Sequence, residues 1–338
     1  MKRILFVHNQ LTRFVQIDRD LLAERYAVTE RHEPRLLRLR PLAVRRAVRD
    51  HDLVFAWFAS WHSFLPIVQA RLAGKPSVVV VGGYDTANVP EAGYGSQRGG
   101  LRGLLVRTVI RSATHLVANS ESAMHEAVGN AGADPRRISV IYHGIEPIAE
   151  GAPDGRERVV LTVGNVWREN FLRKGLLPFV RAAARLPDVR FLHVGRWSDD
   201  GIDELRRLAT PNVEFLGPLP DAELFRSYRR ASVYVQASLH EGFGLSVAEA
   251  MSAGSVPVVT RAGALPEVVG PAGVYTNSTE PAELAAAIRQ ALDQADGLRQ
   301  AARLRVLTEF SMQRRRTALH DLVEAVLRWP VLPCENKP

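Results

Sequence analysis

Between Ser232 and Val259 the chain reads SVYVQASLHEGFGLSVAEAMSAGSVPVV, and few folds accept that order. An apolar run leads into a Gly-Phe-Gly turn. The turn opens an Ala-rich helix that stops at Gly254, and a second β-rich run follows at once. Strand, turn, helix and strand in this sequence make a unit of the parallel α/β kind. Two carboxylates sit in it eight residues apart, Glu241 at the strand's carboxyl end and Glu249 inside the helix, somewhat more than one turn from its start. Both stand near a helix N-terminus, where unpaired N–H groups and the helix dipole attract anions. Carboxylates beside an anion site make poor phosphate ligands but good acceptors for sugar hydroxyls. The pattern therefore suits a ligand that carries both groups.

The rest of the chain repeats this alternation. KRILFVH reads as a first strand. A helix from Phe14 to Tyr26 puts Phe14, Ile17, Leu21 and Leu22 on one side, and a basic helix spans roughly 42–50. Strands follow at LVFAWF (53–58), SVVVVGG (77–83), HLVANS (115–120) and ISVIYHG (138–144), with helices at 63–73, 101–113 and 121–131 between them. The Pro- and Gly-rich segment 146–155 breaks the pattern and reads as a linker. A second series runs through VVLTVGNV (159–166), a helix after Lys174-Gly175, VRFLHVG (189–195), a helix at 201–208, VEFLG (213–217), a helix at 221–230 and the opening unit. It closes with strands at 256–260 and 272–276, helices after Pro281 and near 296–309, and a last helix from 311 to 329. The expected organisation is a Rossmann-like domain at 1–147, a second at 155–310, and a C-terminal helix at 311–330 packing back on the first. Ligand is expected in the cleft outside the strands' carboxyl ends.

Composition narrows the class. A chain of 338 residues is long enough for two domains, and 46% hydrophobic with 24% charged residues can bury large cores. The single cysteine, Cys334, excludes a disulfide framework and a cysteine-based zinc site. The first apolar run ends at His8, too early for a signal peptide, and no run approaches the ~20 apolar residues of a membrane span. A cytoplasmic protein is expected. Residues 1–150 hold 20 Lys+Arg against 14 Asp+Glu, and the remainder 24 against 22, so the basic excess lies in the first half. Such charge attracts phosphates, nucleic acid or an anionic membrane, or simply decorates solvated helix faces. Nucleic acid is the weakest of these, because the basic residues are not interleaved with aromatics in a groove-like run.

The run EGFGLSVAEAMSAGSVPVVT resembles the Glu-x7-Glu motif of retaining glycosyltransferases of the family 4 type. Supporting pieces sit in the family's order. VLTVGN (160–165) followed by Arg173-Lys174-Gly175 is similar to its phosphate-binding loop, ISVIYHGIE (138–146) to the last N-domain strand and crossing, GALPEVVG (263–270) to the segment after the motif helix, and FSMQRRRTALHDLVEAVLRW to the closing helix. The resemblance implies the GT-B fold, two Rossmann-like domains facing each other across a cleft. It also implies transfer of a hexosyl group from a UDP- or GDP-linked sugar to an acceptor hydroxyl with retention, with no cofactor and no metal. No Asp-x-Asp pair is positioned to hold a metal on the diphosphate, and the adjacent Asp199-Asp200 read as solvated or helix-capping.

By the same resemblance Glu241 contacts the donor sugar's hydroxyls, Glu249 accepts the ribose hydroxyls, and the N–H groups of Phe243, Gly244 and Leu245 face sugar and phosphate. Lys174, with Arg173 beside it, stabilises the leaving diphosphate; the alternative is a solvated helix-start lysine. Gly164, Gly195 and Leu219 line the nucleotide. The family pattern usually has arginine after Gly164, and here Asn165 stands in its place, which leaves the diphosphate clamp one fixed charge short unless Arg173 or Arg168 swings in. Gly82-Gly83-Tyr84-Asp85 occupy positions where the family often has histidine. Tyr84 and Asp85 are then candidates for the acceptor, Asp85 in a catalytic role, with the glycines making room; a plain strand-end turn is the alternative. Arg13 is a candidate for an anionic acceptor. His143 reads as structural.

The segment 97–111 mixes four arginines with apolar residues. It suits either a Rossmann helix or a helix on anionic lipid, as a lipid-linked acceptor at the inner membrane face would require. A nucleotide-sugar epimerase of the same fold and a non-catalytic sugar-nucleotide or glycan binder are the competing functions.

Overall fold

The computed structural model describes residues 1–33, 40–149 and 157–328, and the backbone alone of Leu172. Part of the linker (150–156), the end of the last expected helix and Cys334 fall outside the described residues. The chain forms two compact units. One comprises Met1–Pro90, Tyr94–His143 and the chain from Gln313; the other comprises Glu91–Gly93 and Gly144–Met312.

In the first unit, strands β1 (Arg3–His8), β2 (Ala27–His32), β3 (Leu53–Trp57), β4 (Ser77–Val81), β5 (His115–Ala118) and β6 (Ile138–Val140) form one sheet. It is ordered β2-β1-β3-β4-β5-β6, and every pairing is parallel. Helices α1 (Arg13–Ala23), α2 (Pro41–Arg49), α3 (Trp61–Leu72), α4 (Gly100–Ser112) and α5 (Glu121–Ala131) make the connections. β3 and β4 are buried at every position, as central strands covered on both faces must be. β2 is the strand the sequence reading omitted. Its residues, AVTERH, are mostly half-buried or exposed, because an edge strand needs no apolar run.

The second unit has strands β7 (Glu157–Val163), β8 (Arg190–Val194), β9 (Val213–Gly217), β10 (Ala231–Gln236), β11 (Val256–Val259) and β12 (Val274–Tyr275). Its sheet is ordered β12-β11-β10-β7-β8-β9, again with parallel pairings. Numbered within the unit this is the Rossmann order 3-2-1-4-5-6, and the first sheet has the flavodoxin-like order. The helices are α6 (Asn170–Lys174), α7 (Leu176–Ala183), α8 (Gly201–Leu208), α9 (Asp221–Arg230), α10 (Leu245–Ser252), α11 (Leu265–Val269), α12 (Pro281–Asp293) and α13 (Ala295–Glu309). Phe179 on α7, Val160, Phe191, Val233 and Val258 on the strands and Ile288 on α12 share one core. The unit begins before the linker. Ile145 N–H donates to Phe310 O, and Ile148 N–H donates to Ser252 Oγ at 3.0 Å.

Two expectations need correction, the strand lengths and the α1 stripe. The expected strands at 138–144 and 272–276 shorten to Ile138–Val140 and Val274–Tyr275; each is a sheet edge with one neighbour. The α1 stripe is Val15, Asp18, Leu21 and Leu22, with Phe14 and Ile17 only half-buried. The last helix, α14 (Met312–Arg328), buries Leu319, Val323 and Val326, and also Arg315 and His320. Both polar side chains find partners on α1 or just after β6. Arg315 Nε and Nη2 donate to Asp18 Oδ1 and Oδ2 at 2.6 and 2.7 Å, and Nη1 donates to the carbonyls of Ile141 and Tyr142. His320 Nε2–H donates to Leu21 O at 2.6 Å. A period-based reading assigns such positions to solvent, because it scores charges as outward-facing.

Candidate functional site

In a doubly wound sheet, ligands bind outside the strands' carboxyl ends where the strand order reverses. In the second unit that point lies between β7 and β10, which pair directly, Tyr234 opposite Leu161. β7 runs out into Gly164-Asn165, and β10 runs out toward Glu241.

The loops after β7, β8 and β9 are laced together. Gly164 N–H donates to Val194 O, Gly195 N–H to Gly217 O, and Val166 N–H to Arg196 O. A Cβ at Gly195 would lie 2.0 Å from Gly164 O, so only glycine permits this approach. Asn165 Oδ1 accepts from Arg196 N–H at 3.0 Å, and its carbonyl accepts from Asn170 Nδ2 at 2.7 Å. Asn165 is thus a loop staple. It supplies no charge, and neither expected substitute swings in. Arg168 pairs with Asp200 and Glu204 at the surface. Arg173 is buried, with Nε and Nη2 donating to Asn170 Oδ1 at 3.0 and 2.7 Å. His193, absent from the sequence reading, donates from Nε2 to Gly164 O at 2.8 Å. Burial lowers its pKa to about 4, despite that bond, so the ring is neutral. Leu219, after β9, is half-buried.

Lys174 does not open a helix. It closes α6, and Gly175 turns the chain at φ 67° with space for a Cβ taken by Ala237 O, 2.1 Å away. That turn delivers the ammonium to Glu241: Nζ lies 2.6 Å from Oε1. Glu241 is 8% exposed, and its Oε1 also accepts from Gln236 Nε2 at 3.1 Å and Ser238 Oγ at 2.8 Å. Burial pushes the Glu241 pKa up. The charges of Lys174 and Arg173, with the hydrogen bonds from Lys174 and Ser238, outweigh it and hold the carboxyl below its ordinary value. Glu241 is therefore ionised at neutral pH. Glu249 is half-buried on α10 and accepts at Oε2 from Tyr228 Oη, 3.1 Å away. Burial and the Glu249 charge raise Tyr228 well above its ordinary value, so it stays a donor. α10 is entered through Gly244, with no side chain capping it. The N–H groups of its first turn, Leu245 included, are oriented for an anion. The ring of Phe243 packs edge-on against Phe310, centroids 5.4 Å apart, which anchors the turn.

The remaining candidates are in the first unit. The Asp85 carboxylate accepts from the N–H groups of Gly82 and Ala59, both at 3.1 Å. It is 3% exposed, and burial raises its pKa to about 6 against the pull of those N–H groups. Its visible work is to hold the loop after β4. The glycines there do not both open space, since a Cβ at Gly82 would meet the Asn119 side chain at 1.9 Å. Tyr84 is 40% exposed and its Oη accepts from Arg102 Nη1 at 2.9 Å. Arg13 is exposed on the first turn of α1. His143 is buried, stacked on Trp57 at 5.9 Å and kept neutral by burial and by Arg315, which fits a structural role. Around the β1–β3 reversal His8 Nδ1, Thr12 Oγ1, Trp57 Nε1 and His62 Nδ1 are buried without hydrogen-bond partners in the structure. No single-residue signal in the sequence marks that grouping.

The site therefore joins Lys174 and Glu241 directly, with Arg173 acting on Glu241 through its charge, laces Gly164, Asn165 and Gly195 beside them, and sets Glu249 on the helix that Gly244 opens. Gln236, Ser238 and Tyr228 complete it. Gln236 had a visible signal, as a polar residue in an otherwise apolar strand; Tyr228 had none. Among the described residues no cluster of three or more His, Cys, Asp or Glu is arranged to hold a metal, and no helix is long and apolar enough to cross a membrane.

Two sheets of these orders, with this motif at the second reversal, define a GT-B glycosyltransferase fold. The family model for Glycosyltransferase Family 4 matches residues 12–148, and that for Glycosyl transferases group 1 matches 157–294. The chain belongs to the glycosyltransferases of the family 4 type. It is 34% identical over 188 residues to a D-inositol 3-phosphate glycosyltransferase of Mycobacterium sp. (strain JLS), covering 50% of this chain and 42% of that protein. It is 30% identical over 249 residues to the protein of that name from Mycolicibacterium gilvum, covering 67% and 53%. The chain spans about half the length of the curated relatives it matches. Among solved structures, Anabaena HepE in complex with UDP superposes with a TM-score of 0.76 at 21% identity, covering 96% of this chain and all of that one. Sucrose-phosphate synthase from Thermosynechococcus elongatus gives 0.76 at 18%, covering 96% and 99%.

Proposed function

We propose that this protein moves a hexosyl group from a UDP- or GDP-linked sugar to an acceptor hydroxyl, with retention at the anomeric carbon and without a metal. The observation that carries the reading is the Lys174–Glu241 contact at the β7–β10 reversal, beside the uncapped start of α10. As the glycosidic bond breaks, the leaving diphosphate gains negative charge. Lys174 and the first-turn N–H groups of α10 stabilise it. Glu241 accepts hydroxyls of the hexose, and Glu249 accepts those of the ribose, with Tyr228 holding its rotamer. Gly164, Gly195 and Leu219 shape the nucleotide pocket through backbone.

The solved HepE complex with UDP favours a uridine donor among the two. A thermal-shift panel of UDP- and GDP-sugars should show stabilisation by one base series, and turnover with the best donor should survive saturating EDTA. Activity abolished by chelator and restored by a divalent cation would contradict metal independence.

For the acceptor, we infer a hydroxyl-rich or lipid-linked molecule met by the first unit, where Arg13, Tyr84 and Asp85 lie. The relatives named for inositol 3-phosphate are consistent with an anionic one. α4 buries Val106, Val109 and Ile110 against the sheet, as a Rossmann helix does, yet leaves Leu101 82% and Leu104 62% exposed near Arg98 and Arg102. That end of α4 suits an anionic bilayer. The protein should float with liposomes containing anionic lipid and stay behind with neutral ones. Equal recovery from both ends the membrane reading and leaves α4 a plain Rossmann helix.

A further inference from the structure

The strand that delivers Glu241 carries a polar chain that donor contact alone does not explain. β10 is buried at all six positions, yet it contains Tyr234 and Gln236. Tyr234 Oη donates to Gln236 Oε1 at 2.9 Å. This fixes the amide so that Gln236 Nε2 faces Ser238 Oγ at 2.7 Å and Glu241 Oε1 at 3.1 Å. Ser238 Oγ itself donates to Oε1 at 2.8 Å, and the Ser238 carbonyl accepts from Thr260 Oγ1 at 2.5 Å. Tyr234, Gln236 and Ser238 are each 2% exposed or less, with Tyr234 and Ser238 at 0%. A fully linked buried network of this kind rigidifies what it holds. Three donors, from Lys174, Gln236 and Ser238, converge on Oε1. None of the bonds described for Glu241 reaches Oε2.

We propose that Gln236 is a positioning residue for the reaction. Held by Tyr234, it works with Ser238 to commit one oxygen of Glu241 to the protein and to present the other, Oε2, to the donor sugar. The proposal rests on the function assigned above. Without the amide, Lys174 draws the carboxylate toward itself unopposed, and Oε2 loses the placement it needs. The diphosphate contacts stay intact, so the defect falls on turnover and not on nucleotide affinity.

Two variants test it, Gln236→Met and Gln236→Glu, each measured beside wild type and Glu241→Ala across pH 5.5–8.5. Gln236→Met keeps the volume and loses the donor; its kcat should fall about tenfold or more, as expected for losing a charge-assisted hydrogen bond, with the Kd for nucleoside diphosphate unchanged. Gln236→Glu places a carboxylate beside Glu241 at high pH and a protonated, donating carboxyl at low pH. Its kcat relative to wild type should therefore climb as pH falls, while that of Gln236→Met stays flat. A structural filler has no reason to show this pH-dependent rescue. If wild type turns over and Glu241→Ala is dead, while both Gln236 variants keep wild-type kcat or lose it equally at every pH, the positioning role is overturned and the function stands. If wild type turns over no donor, the function falls and this role falls with it.

Discussion

Lys174→Ala should lower kcat by about 10²–10³, the range for removing one group that stabilises developing negative charge. In the proposed reaction the ammonium serves the leaving diphosphate, and in the structure it holds Glu241, whose Oε1 lies 2.6 Å away. Its loss also costs stability. Glu241 is nearly buried and keeps only Gln236 and Ser238 as neutral donors, so ~1–3 kcal/mol is expected for a charged group left short of partners. The pH dependence has a definite sign. Lys174 and Arg173 hold the Glu241 pKa below its ordinary value. The stability that ionised Glu241 contributes is thus present above the unfolded carboxylate's pKa, about 4.3, and is lost as pH falls through the lower folded value. The variant's deficit should be full at pH 7, shrink as pH falls, and be gone below the lowered folded value, where both proteins carry a neutral Glu241. Urea titrations at pH 7 and pH 3.5, with steady-state rates at neutral pH, check both effects. A variant with wild-type kcat and an unchanged denaturation midpoint would remove Lys174 from the site.

The largest stability effect belongs to Arg315. Its guanidinium is 2% exposed, meets both oxygens of the fully buried Asp18, and donates to two main-chain carbonyls. Arg315→Ala leaves the buried Asp18 carboxylate without its guanidinium and removes a donor from two carbonyls, and ~3–5 kcal/mol is expected for breaking a buried pair from one side. Arg315→Lys should recover only part of this, because an ammonium cannot span the fork and the carbonyls together. Arg316, one residue along, gives the control. Its pair with Glu24 is exposed, 38% and 42%, so Arg316→Ala should cost no more than ~1 kcal/mol. Similar losses for Arg315→Ala and Arg316→Ala in denaturant titrations would show that the buried pair does not anchor α14 to the first unit.

These two sites also show where sequence reading works and where it stops. The alternation of apolar runs and Gly-terminated helices located every central strand, because a strand buried on both faces is mostly apolar. The Glu-x7-Glu stretch is legible by contrast, Glu249 standing out against Val247, Ala248, Ala250 and Met251. β2 was missed because an edge strand tolerates AVTERH. Asp18 and Arg315 were missed because each looks solvent-facing until its partner, nearly 300 residues away, is known. Lys174 was assigned to a helix start, whereas five residues before Gly175 make a short helix of their own. Asn165 reads as a missing charge in the motif and proves to be the donor-side loop's staple to Arg196. In each case the deciding partner comes from elsewhere in the fold.

The central claim is that Glu241 and Lys174 serve hexosyl transfer. It is tested most directly by release of nucleoside diphosphate from the best-binding nucleotide sugar, followed with and without a panel of hydroxyl acceptors, for wild type and Glu241→Ala. The account predicts release that depends on acceptor in wild type and is lost in a folded Glu241→Ala protein. Equal rates in the two proteins would contradict it. So would release that needs no acceptor and yields an altered free sugar, which would make the chain an epimerase.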